Sequence, residues 1–173
     1  EGKTYTLPID EHERHNAIHG YGKRAFWKLV SLKEDAVTLS WRAPNMEGYP
    51  FDIVVTATYS LADDGLHLNI SAYNNGDADA PWALAIHPWL ANGFNGYGDE
   101  IDAHNAKCSL TVPGRTHVTV NENLIPTGTE PVDGTKYDLR KDTLLTEQPF
   151  DDAWTDLEHA EDGTVTAVFT RPD

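Results

Sequence analysis

Residues 52–61 alternate between apolar and polar side chains with a period of two. The apolar positions are Ile53, Val55, Ala57, Tyr59 and Leu61. Successive side chains of a β-strand point to opposite faces of a sheet, whereas a helix repeats its apolar positions every three to four residues. This region is therefore predicted to be a strand with one buried face. Other segments of the chain must then form the strands that pair with it.

The same parity continues after a turn. Residues 63–65 have the sequence Asp-Asp-Gly, and every second residue from 66 to 72 is apolar. Two alternating segments joined by such a turn predict a β-hairpin. A second turn cluster at 74–77 leads into residues 81–87, whose apolar content predicts a third strand covered on both faces.

The remaining strand candidates are short and are separated by Gly, Pro, Asn and Asp clusters. They are residues 37–41, 107–112, 117–120 and 165–169. No long stretch keeps a helical period, and a chain of 173 residues with 39% hydrophobic side chains can bury a core. The predicted fold is all-β, with residues 1–173 forming a single antiparallel β-sandwich domain.

Charge and cysteine content exclude several classes of function. The chain has 28 acidic and 13 basic side chains and a net charge of −15, so phosphate backbones and anionic membranes repel it. We expect no nucleic-acid or membrane partner. The single Cys108 excludes an internal disulfide framework and favours a reducing compartment. With no signal peptide or membrane span in the sequence, the expected location is cytoplasmic.

The predicted strand 82–87 brings two alanines and His87 to one face. The small side chains leave room for a ligand beside an imidazole, a group suited to proton transfer near neutrality. Trp89 follows, and aromatic faces pack well against the apolar faces of sugar rings. The alternative is a core histidine bonded to backbone, with Trp89 as packing.

Residues 12–22 are rich in histidine and glycine. Their spacing differs from the helical pattern of zinc enzymes, and the glycines favour a loop, so no metal site is predicted. His12 and His15 are predicted to be solvated. The glycines that follow His19 permit close approach of a ligand to the backbone, but a turn with positive φ accounts for them equally well.

Residues 150–156 place acids between aromatic side chains. Carboxylates accept hydrogen bonds from sugar hydroxyls, while the alternative is a solvated acidic loop. Acids at 99–102 lack the alternation of a calcium loop. The other histidines lie among polar residues and are predicted to be at the surface: His67, His104, His117 and His159.

Together these segments resemble the aldose 1-epimerase (galactose mutarotase) family, bacterial type. Residues 16–20, Asn-Ala-Ile-His-Gly, resemble its Asn-x-x-His-Gly motif, and residues 48–51 with the following hairpin resemble its Gly-Tyr-Pro strand pair. His87-Pro88-Trp89 resembles its His-Pro-(Tyr/Trp)-Phe motif, with Leu90 in place of Phe. Further similar segments follow in family order over almost the whole chain, at 126–128, 134–140 and 150–154.

The resemblance implies the antiparallel supersandwich of the galactose mutarotases and interconversion of the α and β anomers of a free hexose such as glucose or galactose. It implies that His87 is the general acid, that His19 and Asp151 hold sugar hydroxyls, and that Trp89 belongs to the same pocket. No metal or organic cofactor is expected. Opening a cyclic hemiacetal needs only a base for the anomeric hydroxyl and an acid for the ring oxygen.

The same resemblance places the family's base, a glutamate, after residue 173 and a substrate-binding arginine before residue 1. We therefore expect the sequence to be the central part of a larger sandwich, truncated at both ends. Without that base the rate should fall by about 10²- to 10⁴-fold. Unpaired sheet edges should favour self-association or lower stability.

Two alternative functions stay open at this point. A non-catalytic carbohydrate-binding β-sandwich would bind hexose without turnover. A hexose-6-phosphate 1-epimerase would need a cluster of basic side chains for the phosphate. Lys23, Arg24 and Lys28 form the only concentrated basic group of this acidic chain, which makes a phosphorylated substrate the less favoured alternative.

Overall fold

A computed structural model describes residues 2–146 and 150–172 of the chain. The chain forms two compact units, Glu1–Ile86 and His87–Asp173. Every strand pair among the described residues is antiparallel, and strands far outnumber helices. The predicted all-β, antiparallel class is confirmed, while the single domain over 1–173 stays a prediction.

The first unit contains one short 3-10 turn and one four-stranded sheet. After the 3-10 turn Gly22–Arg24 come β1 (Lys28–Leu32), β2 (Ala36–Ala43), β3 (Ile53–Ala62) and β4 (Gly65–Asn74). The sheet has the order β1-β2-β3-β4, so neighbours in sequence are neighbours in space. β3 is paired along both of its edges, with β4 over its full length and with β2 from Ile53 to Ser60.

The predicted hairpin is confirmed as β3 and β4, in which Ala62 pairs with Gly65 across a two-residue turn. The apolar parity of β3 is also confirmed at its start, because Ile53, Val55 and Ala57 are all buried. Toward the turn the same parity becomes solvent-exposed.

β2 continues the two-faced character of this sheet. Leu39 lies opposite Ala57 on the apolar face. On the other face Thr38 lies opposite Thr58, and their hydroxyl oxygens are 3.0 Å apart, within hydrogen-bond distance. Hydroxyl pairs of this kind stabilise neighbouring strands where the sheet meets solvent.

The predicted third strand over residues 81–87 is wrong. These residues have no regular secondary structure, and the side chains of Trp82, Leu84 and Ile86 are 45%, 49% and 60% exposed. An extended segment becomes a strand only when another strand pairs with its backbone. No strand of the described residues pairs with 81–87, so apolar content alone was a misleading indication.

The described residues of the second unit form one short helix and two three-stranded sheets. Its elements are α1 (Asp99–Asn105), β5 (Ser109–Thr111), β6 (Gly114–Val120), β7 (Pro126–Pro131), β8 (Thr143–Leu144), β9 (Trp154–Leu157) and β10 (Val168–Thr170). One sheet has the order β10-β5-β8 and the other β7-β6-β9. The most deeply buried side chains are Cys108, Val132 and Leu139.

The predicted strands 37–41 and 117–120 are confirmed within β2 and β6. Of the other two, 107–112 is longer than β5, which it contains, and 165–169 overlaps β10 only at residues 168 and 169. The sequence did not indicate β1, β7, β8 and β9, nor α1. The acids at 99–102 lie in the first turn of α1, where negative charge favours the positive end of a helix. No helix in the described ranges is both long and apolar enough to cross a membrane.

Gly114 allows β6 and β9 to approach each other closely. A Cβ added at this glycine would lie 2.6 Å from Cβ of Trp154, while one added at Gly128 in β7 would lie 3.4 Å from the nearest atom, Oγ1 of Thr119. We expect Gly114→Ala to lower the free energy of unfolding by about 1–3 kcal/mol, because the strands must separate. Gly128→Ala is the matched control in the same sheet and should cost much less. Urea denaturation of both variants measures this difference, and equal losses would show that the close approach is unimportant.

Candidate functional site

The loop that carries His19 is closed by Asp10. One carboxylate oxygen of Asp10 accepts a hydrogen bond from the backbone N–H of Ile18 at 2.7 Å, and the other lies 3.1 Å from Nζ of Lys23 and 3.2 Å from the guanidinium of Arg24. The Ile18 and Lys23 hydrogen bonds hold the pKa of Asp10 below its ordinary value. The Asp10 carboxylate therefore contacts the residue before His19 in sequence and two basic residues after it.

His19 is exposed and has a left-handed backbone, with φ of 60° at both His19 and Gly20. A Cβ added at Gly20 would meet no atom within 4 Å. The φ of Gly20 agrees with the predicted turn with positive φ, and the open space beside this glycine leaves room for the close approach of a ligand. A left-handed histidine costs backbone energy, and such residues concentrate at functional sites.

A cavity of about 170 Å³ adjoins this loop within the first unit. The residues on either side of His19 in sequence, Ile18 and Gly20, both line it, and so does Asp10. Its other lining residues are Leu7, Pro8, Ala17, Tyr21 and Arg24. The walls of the cavity are therefore largely apolar, and the ion pair between Asp10 and Arg24 supplies its charged groups.

His87 and Trp89 lie together at the start of the second unit. Their ring centroids are 6.3 Å apart with planes inclined by 25°, and both side chains are exposed. The indole of Trp89 is 90% exposed. A core histidine packed by a buried tryptophan is therefore not what the structure shows. An exposed imidazole with an exposed aromatic face beside it can meet a ligand.

The acidic segment presents one carboxylate outward and one inward. Asp151 and Ala153 are exposed, whereas Asp152 and Trp154 are half-buried. The carboxylate of Asp152 lies 2.9 Å from Nε2 of His117. The alternative of a wholly solvated acidic loop is thus wrong for Asp152, while Asp151 has the outward exposure that a ligand-binding carboxylate needs.

His117 was predicted to be at the surface, and this is wrong, because it is only 5% exposed. Its Nδ1 lies 3.0 Å from Glu130 and its Nε2 2.9 Å from Asp152. The ring also stacks on Tyr137, with centroids 3.6 Å apart and planes inclined by 8°. Burial of a polar ring is tolerated when both nitrogens are hydrogen-bonded. His117 lies opposite Glu130 of β7 and Trp154 of β9, but neither strand was predicted, so no sequence signal indicated these contacts.

The surface prediction also fails for His104, which is half-buried. Its Nε2 lies 3.0 Å from the carbonyl oxygen of Asn92, and its ring stacks on Phe94. His67 and His159 are exposed as predicted. Among the described residues, no three His, Cys, Asp or Glu side chains are grouped as ligands for a metal ion.

Comparison with known proteins assigns the family. The sequence model of the family described as aldose 1-epimerase matches residues 1–172. The chain belongs to the aldose 1-epimerase family. Galactose mutarotase from Rattus norvegicus is 34% identical over 150 residues, and the human protein is 34% identical over 153. Each alignment covers 84% of this chain but 41% of the relative, so the chain spans less than half the length of these proteins.

Two further comparisons agree with this family. An uncharacterised protein, YihR, from Escherichia coli K12 is 40% identical over 91 residues, which cover 52% of this chain and 30% of that protein. The crystal structure of the GalM/aldose epimerase homologue from C. elegans has a TM-score of 0.55 at 20% identity, covering 84% of this chain and 45% of that one. The predicted aldose epimerase fold is confirmed.

The structure of this aldose 1-epimerase family member places the four predicted site residues at exposed positions. His19 belongs to the first unit, and His87, Trp89 and Asp151 belong to the second. His87 and Trp89 are brought together directly. His117 is the residue that sequence reasoning missed, and it binds the neighbour of Asp151. The roles of all four predicted residues stay predictions.

The Asp10 contacts predict how the His19 loop responds to acid. The pKa of Asp10 is lowered from 3.8, so its stabilising effect is complete well above pH 3.8 and is lost as pH falls through the folded-state value. In an NMR titration, the backbone amide of Ile18 should shift with a midpoint below 3.8, because that amide binds the carboxylate.

Asp10→Asn should abolish this titration, and Asp63→Asn, in the exposed turn of the β3–β4 hairpin, is the control that should preserve it. A midpoint at or above 3.8, or a titration that survives in Asp10→Asn, would contradict the proposed role of Asp10 in the loop.

Proposed function

We propose that the full-length protein containing this chain is an aldose 1-epimerase that interconverts the α and β anomers of a free hexose such as galactose or glucose. The family match over residues 1–172 carries this proposal. It is supported by the galactose mutarotases among the relatives and by the exposed pair of His87 and Trp89.

In the proposed reaction, His87 is the general acid. It gives its proton to the ring oxygen while a base takes the proton of the hydroxyl at C1, so that the bond between C1 and the ring oxygen breaks and a carbonyl forms at C1. Rotation about the C1–C2 bond presents the other face of the carbonyl, and the reverse proton transfers close the ring as the other anomer. We place the base, a glutamate, outside residues 1–173, as the family resemblance implies.

The other three residues are proposed to hold the sugar. The exposed indole of Trp89 offers an apolar surface to the C–H face of the ring. The outward carboxylate of Asp151 accepts hydrogen bonds from two hydroxyls, and the motif resemblance assigns to His19 a contact with a sugar hydroxyl. These contacts orient the ring, so that the acid of His87 meets the ring oxygen.

A free hexose fits the charges of the chain better than a phosphorylated one. The basic group identified in the sequence includes Lys23 and Arg24, and the structure pairs both with Asp10. Arg140 is likewise held by Asp133 and Asp138, each at 2.7 Å. These cations already have carboxylate partners in the protein, with which a phosphate would compete.

Replacing His87 tests its proposed role as the general acid. In the full-length protein, His87→Asn should lower kcat for the anomerisation of α-D-galactose by about 10²- to 10⁴-fold, because it removes the proton donor. His67→Asn, at an exposed histidine in β4, is the control and should keep the wild-type rate. Polarimetry measures both rates.

If wild-type protein is no faster than buffer, the proposed function fails. If that protein still binds galactose saturably, the non-catalytic sugar-binding alternative replaces it. An unchanged rate in His87→Asn would instead remove His87 from the mechanism.

Replacing His19 tests the sugar contact with a matched variant in the same loop. His15 and His19 both have left-handed backbones, with φ of 57° and 60°, and asparagine tolerates that conformation well. His19→Asn keeps the backbone but shortens the reach of the side chain. We expect it to raise KM by about three- to tenfold, the value of one hydrogen bond. His15→Asn should leave KM unchanged, and equal effects of the two variants would contradict a specific role for His19.

A further inference from the structure

The proposed mechanism does not use His117, a buried histidine whose two ring nitrogens both face carboxylates. His117 lies in β6, is 5% exposed, and has a carboxylate oxygen at each ring nitrogen, at 3.0 Å from Glu130 and 2.9 Å from Asp152. A buried ring with two acidic partners, in a part of the sheet that adjoins the acidic segment, needs an explanation.

The geometry fixes the orientation of this ring. Each ring nitrogen faces a carboxylate oxygen, Nδ1 that of Glu130 and Nε2 that of Asp152, so a ring N–H at either position has an acceptor in place. Its flat contact with Tyr137 hinders rotation of the ring out of this plane. The imidazole is therefore a rigid bridge between Glu130 on β7 and Asp152 just before β9.

The side chain of Asp152 lies on one side of the segment, where it contacts His117, and the side chain of Asp151 lies on the other side, exposed to solvent. The exposure alternates from Asp151 to Trp154, as expected for an extended backbone whose successive side chains point in opposite directions. Farther along, the backbone is held where Ala153 accepts a hydrogen bond from the N–H of Val118 at 2.8 Å. Nε1–H of Trp154 donates to the carbonyl oxygen of Tyr137 at 2.9 Å. Of the three contacts, made by Asp152, Ala153 and Trp154, the contact between Asp152 and His117 is the nearest to Asp151 in sequence.

We propose that His117 is a positioning residue, which fixes Asp152 through Nε2 and thereby holds Asp151 outward in the orientation that binds sugar hydroxyls. This inference rests on the proposed function, because it takes Asp151 to be a sugar-binding residue. His117 itself does not touch the substrate.

The two carboxylate partners of His117 provide a matched test in the full-length protein. Asp152→Ala and Glu130→Ala each remove one partner of the same buried ring, so a merely structural role predicts similar effects. The positioning role predicts that Asp152→Ala raises KM for galactose about tenfold or more, the scale of a hydrogen bond to a charged group, with little change in kcat. Glu130→Ala should change KM less than about twofold.

Substitutions of His117 itself distinguish the contact made by Nε2 from the contact made by Nδ1. The amide nitrogen of glutamine reaches about as far along the side chain as Nε2, while that of asparagine corresponds to Nδ1. His117→Gln should therefore keep the bond to Asp152 and a KM near that of wild type. His117→Asn should behave like Asp152→Ala. Both lose the flat contact with Tyr137, so urea denaturation should show similar losses of stability in the two variants.

The outcomes distinguish this inference from the proposed function. If wild-type protein anomerises galactose but Asp152→Ala and Glu130→Ala change KM equally, the positioning role is overturned and the function stands. The same conclusion follows if His117→Gln and His117→Asn are equally impaired. If wild-type protein neither anomerises nor binds galactose, both proposals fall together.

Discussion

Antiparallel pairing along both edges of two strands, β3 and β6, organises the described parts of this chain. β3 lies between β2 and β4 in the first unit, and β6 lies between β7 and β9 in the second. Pairing on both sides satisfies the backbone of each central strand and sets the register of its side chains. In β3 that register buries Ile53, Val55 and Ala57, whereas in β6 it places His117 beside its acidic partners.

Several acidic side chains of this chain pair with its few basic ones. Several carboxylates recruit the scarce cations, as Asp10 does at the His19 loop and Asp52 does at the start of β3. Hydrogen bonds from Arg42 and Asn75 lower the pKa of Asp52 to about 2. Asp151 differs because its carboxylate is exposed, and this suits it to a neutral ligand rich in hydroxyl groups.

The sequence predicted those parts of the fold that have a strong local period. The β3–β4 hairpin is one, since alternation and turn chemistry agree there. Residues 81–87 show the limit, because apolar content does not supply a strand partner. β1 was missed because all five of its residues are exposed. His117 was missed because its partners are 13 and 35 residues away in sequence. The four proposed site residues came from motif resemblance, since alternation alone left their roles open.

Three features support one account of sugar anomerisation: family membership, an exposed imidazole beside an exposed indole, and the outward side chain of Asp151 next to Asp152, which contacts the buried His117. A crystal structure of the full-length protein with galactose tests that account most directly. It predicts the ring oxygen of the sugar within about 3 Å of a ring nitrogen of His87, with sugar hydroxyls bonded to Asp151. Galactose bound away from His87, or with its ring oxygen facing another group, would contradict it.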